Sequence, residues 1–131
     1  MRIFKTRWFA RFARKEKITD APLVEAIARA EKGGVDAALG GGLIKQRVAR
    51  DGGGKSGGFR TLVAFRVSTR SVFLYGFAKN VRENVEPAEL EMLKKLAQRF
   101  LAMTDAELDL ARAEGELVEV GHDDAGEEKI S

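Results

Sequence analysis

Three apolar, β-rich runs follow one another in the middle of the chain, Leu43 to Ala49, Phe59 to Val67 and Ser71 to Ala78, and the links between them dictate how they pair. Parallel neighbours need a crossover of about a dozen residues or more, usually helical. The glycine-rich stretch Arg50 to Gly58 and the turn near Ser68-Thr69-Arg70 offer no such crossover, so an antiparallel meander is predicted. Alternation then assigns the side chains. Leu43, Lys45, Arg47 and Ala49 share one face of the first strand, which sets Lys45 and Arg47 about 7 Å apart on the same side. In the second strand Phe59, Thr61, Val63, Phe65 and Val67 form the apolar face, and Arg60 and Arg66 point the other way. The expectation is a sheet with helices and core on one side and cations on the other.

Flanking segments complete an α+β plan. Arg2 to Lys5 reads as a short strand, and the helix after it carries Trp8, Phe9, Phe12 and Ala13 at helical spacing, a stripe assigned to the core. A second helix starts at Thr19 or Asp20, has Pro22 in its first turn, buries Leu23, Ala26, Ile27 and Ala30, and stops at Gly33-Gly34. Together they form an N-terminal helical hairpin, and Val35 to Gly42 reads as a spacer. Pro87 opens a third helix in which Leu90, Leu93, Leu96, Ala97, Phe100 and Leu101 recur at threes and fours. Thr104-Asp105-Ala106-Glu107 is a capping box for a fourth, short helix ending near Gly115. Glu116 to Val120 reads as extended and Gly121 to Ser131 as an acidic, disordered tail. The expected architecture is one domain over residues 1–120: helical hairpin, three- to four-stranded antiparallel sheet, C-terminal helices.

Charge is segregated along this plan. Between Thr104 and Ser131 ten acids face only Arg112 and Lys129, or −8, which leaves +11 on the rest of a chain whose formal net charge is +3. From Leu43 to Arg82 nine basic residues (Lys45, Arg47, Arg50, Lys55, Arg60, Arg66, Arg70, Lys79, Arg82) are opposed by Asp51 alone. Such a cluster repels itself unless a polyanion relieves it, and RNA is the expected partner; the bland alternative is a solvated basic face. The acidic tail either solvates the chain or folds back to compete with RNA.

Other chemistries are excluded. The chain has no cysteine, so it forms neither a disulfide framework nor a thiolate metal site. No apolar run is long enough for a membrane span, and the charged start does not read as a signal peptide, so the cytoplasm is the expected compartment. Ala49 to Ser56 ends in Gly-Lys-Ser but leads into a β-rich run, not the helix a phosphate loop requires; what remains is a loop whose amides, Lys55 and Ser56 can touch an RNA phosphate. His122 is the only histidine and lies in the tail, which excludes a histidine-pair ribonuclease and a histidine-built metal site. The sheet region lacks the carboxylate cluster of a two-metal nuclease. No metal or cofactor is expected, and any RNA cleavage falls to lysine and arginine.

The stretches Leu39-Gly40-Gly41-Gly42-Leu43-Ile44-Lys45-Gln46-Arg47-Val48-Ala49, Gly54-Lys55-Ser56-Gly57-Gly58-Phe59-Arg60-Thr61 and Phe73-Leu74-Tyr75-Gly76-Phe77-Ala78-Lys79 together resemble the RelE/HigB-like toxins of bacterial type II toxin–antitoxin systems. The resemblance covers residues 1 to about 120. It implies a microbial-ribonuclease-like fold that enters the ribosomal A site and cuts messenger RNA without metal, the ribose 2′-hydroxyl attacking the adjacent phosphorus. It also implies neutralisation by a helix-turn-helix antitoxin, with operator DNA bound only through that complex. Carried over by motif, Lys45 and Arg47 activate the hydroxyl or hold the phosphate, Arg60 stabilises the transition state, and Lys79 is either the acid or a further phosphate ligand. Lys55, Ser56, Arg50, Arg82 and Phe77 are the expected RNA contacts, although strand aromatics such as Phe77 and Tyr75 more often belong to a core. Two rival readings are a non-cleaving toxin of the same fold acting on DNA gyrase and a regulatory RNA- or DNA-binding protein.

Overall fold

The computed structural model describes residues 1–50 and 58–121; the expected contacts Lys55 and Ser56, and the tail from His122 on, lie outside the described residues. The elements are β1 (Arg2–Thr6), α1 (Arg7–Glu16), α2 (Asp20–Glu31), β2 (Ala37–Gly40), β3 (Leu43–Val48), β4 (Phe59–Arg66), β5 (Arg70–Ala78), α3 (Pro87–Ala102), α4 (Asp105–Ala113) and β6 (Leu117–Glu119). The predicted meander forms: Leu43, Lys45 and Arg47 of β3 stand opposite Ala64, Leu62 and Arg60 of β4, and β5 returns antiparallel to β4. The Thr104 capping box of α4 also forms, its hydroxyl accepting from the Glu107 N–H at 3.1 Å.

The sheet is wider than predicted, with six strands in the order β2-β3-β4-β5-β1-β6. β1 runs parallel to β5, and β6 closes that edge antiparallel to β1. The presumed spacer holds β2, an edge strand of Ala and Leu without the β-branched residues that would signal it; pairing with β3 supplies the structure that composition does not. Gly42 lies at φ +82°, and a Cβ there would collide with Leu101 Cδ1, so only glycine lets the β2–β3 turn lie against α3.

Contrary to the single-sided expectation, helices cover both faces. The α1–α2 hairpin packs on Ile44, Val48, Phe59, Val63 and Phe73, while α3 and α4 pack on Leu43, Leu62, Ala64, Val72 and Phe77. The physical reason is that β4 is apolar on both sides at its centre: Leu62 and Ala64 alternate with Val63, and the second face turns polar only at its ends, Arg60 and Arg66. The cations therefore share a face with α3, at the end that α3 leaves open. No helix among the described residues is long and apolar enough to cross a membrane.

One irregularity sets what lies at that end. Pairing between β4 and β5 skips Leu74, so Leu62 stands opposite Tyr75 and Val63 opposite Phe73, a β-bulge. Val72 and Leu74 face α3 and Phe73 faces the hairpin, so plain alternation would send Tyr75 and Phe77 to the hairpin side as well. The bulge resets the phase: Tyr75 and Phe77 join Leu62 on the α3 face, and Gly76 turns to the hairpin, where a Cβ would lie 2.8 Å from Phe12 Cε2 and 3.0 Å from Phe9 Cε1.

Candidate functional site

The register brings Lys45, Arg47 and Arg60 onto neighbouring strand positions. Arg47 and Arg60 are direct partners across β3 and β4, Phe77 is the partner of Arg60 on β5, and Lys45 lies two residues before Arg47 on the same face. Lys79 is exposed just past the end of β5, its backbone N–H donating to the Gly58 carbonyl at 3.3 Å. Arg47 and Arg60 line an open cleft of about 390 Å³ with Glu25, Arg29, Val48, Ala49 and Gly58.

Each cation is held differently. Lys45 Nζ donates to Asn84 Oδ1 at 2.8 Å, at the mouth of a smaller cavity closed by Leu39, Leu62, Phe77, Val85 and Leu90. Arg47 presents 62% of its side chain to solvent; its backbone N–H donates to Asp36 Oδ2 at 2.7 Å, and the same oxygen lies 3.7 Å from its Nε. Arg60 is half-buried and has no ion pair among the described residues. The site therefore holds one arginine whose charge no described residue pairs, one balanced at longer range, and one lysine oriented by an amide. That set can grip a phosphate and oppose charge building on it.

Other expected contacts are placed differently. Arg82 reaches the site, but Glu89 takes its charge: Nη2 lies 2.6 Å from Glu89 Oε1, and the guanidinium covers the Phe77 ring at 5.4 Å. The pair shifts both groups, the Glu89 carboxyl falling below its ordinary value because Arg82, and then the backbone of Glu86, donate to it, while Arg82 rises through its bond to Glu89. Arg82 thus fastens the loop after β5 to α3. Phe77 is only 5% exposed beneath it and offers no ring face to a base, which corrects its assignment as an RNA contact. Arg50 stands over Phe59, at the hairpin side of the sheet.

Several participants were not assigned from sequence. Arg29 of α2 enters the Arg47–Arg60 cleft and donates to the Arg47 carbonyl; Asp36 and Asn84 come from loops whose polar residues carry no motif. Gln46, fully buried between Lys45 and Arg47, bonds the Asp36 N–H, so it holds the carboxylate that faces Arg47. Trp8, assigned to the core, is 42% exposed: β1 ends at Thr6, and the indole lies against Tyr75 instead of entering the hairpin core with Phe9.

No curated protein matches the chain. The family model of the RelE toxin of the RelE/RelB toxin–antitoxin system matches residues 1–120, in agreement with the α+β fold. This chain belongs to the RelE toxin family.

Proposed function

We propose that the chain is a ribosome-dependent messenger-RNA endoribonuclease, neutralised by a cognate antitoxin. The reaction is metal-free: the ribose 2′-oxygen bonds to the adjacent phosphorus, the bond to O5′ breaks, and the products are a 2′,3′-cyclic phosphate and a 5′-hydroxyl end. The 2′-hydroxyl proton passes to a base and a proton is delivered to O5′, with Lys45 and Lys79 as the groups for these transfers. Arg60 and Arg47 oppose the charge of the crowded phosphorane, where a fixed cation acts most strongly. The observation that carries this reading is the direct pairing of Arg47 with Arg60 beside an open cleft, with Lys45 on the same face. Arg29, paired with Glu25 and Asp36, walls the cleft, and Asn84 aims Lys45.

The test is a reconstituted translation reaction read by primer extension. Wild-type protein is expected to cut the messenger within codons in the ribosomal A site, and Arg60→Ala to cut about 100- to 1,000-fold more slowly with unchanged thermal stability. Growth arrest with intact messenger and induced DNA damage would refute the proposal in favour of action on gyrase.

A further inference from the structure

Trp8, the only tryptophan, stays exposed at the start of α1 although Phe9 and Ala13 of that helix are buried. Trp8, Arg11, Phe12 and Lys15 fall at i, i+3, i+4 and i+7, so they form one stripe of the helix. Among the described residues these four line an open cleft of about 360 Å³. The indole stacks on Phe12, with centroids 5.5 Å apart and planes 14° from parallel, and on Tyr75, with centroids 4.5 Å apart. Two aromatic rings and two cations, with no carboxylate among the described residues, make up its wall. Trp8 and Arg11 also line the neighbouring cleft toward α4, where Glu114 and Glu116 stand beside Arg7, a mixed charge that favours the Lys15 side for a polyanion.

Side-chain contacts link the cleft to the cationic site. Tyr75, against which the indole rests, has its hydroxyl 3.4 Å from Arg82 Nη1; Arg82 Nε donates to the Asn84 carbonyl at 2.9 Å, and Asn84 Oδ1 accepts from Lys45. A row of contacts thus leads from Trp8 to the groups beside the Arg47–Arg60 cleft. Rings flanked by cations are the chemistry that holds single-stranded nucleic acid, because each base has a face to stack and each phosphate a charge to meet. An acidic peptide would use the cations but leave the rings idle.

We propose that the Trp8–Phe12 cleft is a nucleobase-stacking subsite that holds the RNA strand outside the cleavage centre, Arg11 and Lys15 taking its phosphates. The subsite rests on the nuclease reading for the identity of its ligand. It makes Trp8 a binding residue, not a catalytic one.

The sole tryptophan reports on its own site. The full-length protein is titrated with a 2′-O-methyl hexaribonucleotide, which lacks the attacking hydroxyl and stays uncut. Tryptophan emission is expected to fall saturably, and anisotropy of the labelled oligonucleotide to show binding about 5- to 100-fold weaker in Trp8→Ala. Trp8→Phe, which keeps a ring, is expected to retain most of the affinity and guards against misfolding as the cause. Arg11→Glu with Lys15→Glu is expected to abolish the quenching. Emission unchanged through the titration would overturn the subsite, as would equal quenching by polyglutamate, which would mark the cleft as a dock for acidic protein. Messenger cleavage by the same wild-type preparation in the translation reaction separates the outcomes: cutting without quenching removes the subsite and leaves the nuclease, whereas quenching with no cutting removes the nuclease.

Discussion

Gln46 is fully buried, and its amide joins three segments. Its Nε2 donates to the Ala26 carbonyl at 2.9 Å and to the Gly34 carbonyl at 3.0 Å, and its Oε1 accepts from the Asp36 N–H at 3.0 Å. Gln46→Leu keeps the volume and removes all three bonds. At about 1 kcal/mol net each the loss is about 3 kcal/mol, of which the more apolar side chain returns about 1 kcal/mol. A net cost of about 2 kcal/mol in a chain of this size lowers Tm by about 8 °C, read by circular dichroism. Because Asp36 loses its tether, cleavage measured well below both melting temperatures should also fall, through looser placement of Arg47. A variant that melts within about 2 °C of wild type would refute the idea that this amide holds α2, the following loop and β3 in register.

Two further outcomes are expected. The Glu89 carboxyl lies below its unfolded value because Arg82 donates to it, so its stabilisation is complete above the unfolded pKa of about 4.3 and is lost as pH falls through the folded value. The stability gap between wild type and Glu89→Gln should therefore be steady at neutral pH and close on acidification, by urea denaturation; a gap that widens toward acid would contradict the ion pair. Gly76→Ala places a Cβ 2.8 Å from Phe12 Cε2 without positive-φ strain, and is expected to cost about 1–3 kcal/mol by overpacking, with a shifted Trp8 emission maximum reporting the displacement of α1.

How much was legible depended on whether a residue's neighbours lay on its own strand. Period-two alternation placed Lys45, Arg47 and Arg60 on one face because β3 and β4 pair without interruption, and the short turn after Arg66 left β5 only one direction. The capping box of α4 was legible because it is local. Counter-charges were not: Asp36 and Glu89 reach Arg47 and Arg82 from other elements, and no spacing along the chain encodes that approach. Trp8 misled for a related reason. Its helical spacing marks a stripe, but whether the stripe is covered depends on where β1 stops beside β5. The second layer of helices was hidden in Leu62 and Ala64, which read as ordinary strand residues until α3 packs on them.

The skipped residue in β5 limits how this strand can change in length. Which layer a side chain of this strand joins downstream of Leu74 is a matter of parity, so the position of Phe77 under Arg82 is specified by residue count as much as by residue type. Substitutions there trade one contact for another. Losing Leu74 alone would make Phe73 and Tyr75 successive partners of Val63 and Leu62 and leave Phe77 on its layer, whereas losing Gly76 would send Phe77 to the hairpin side.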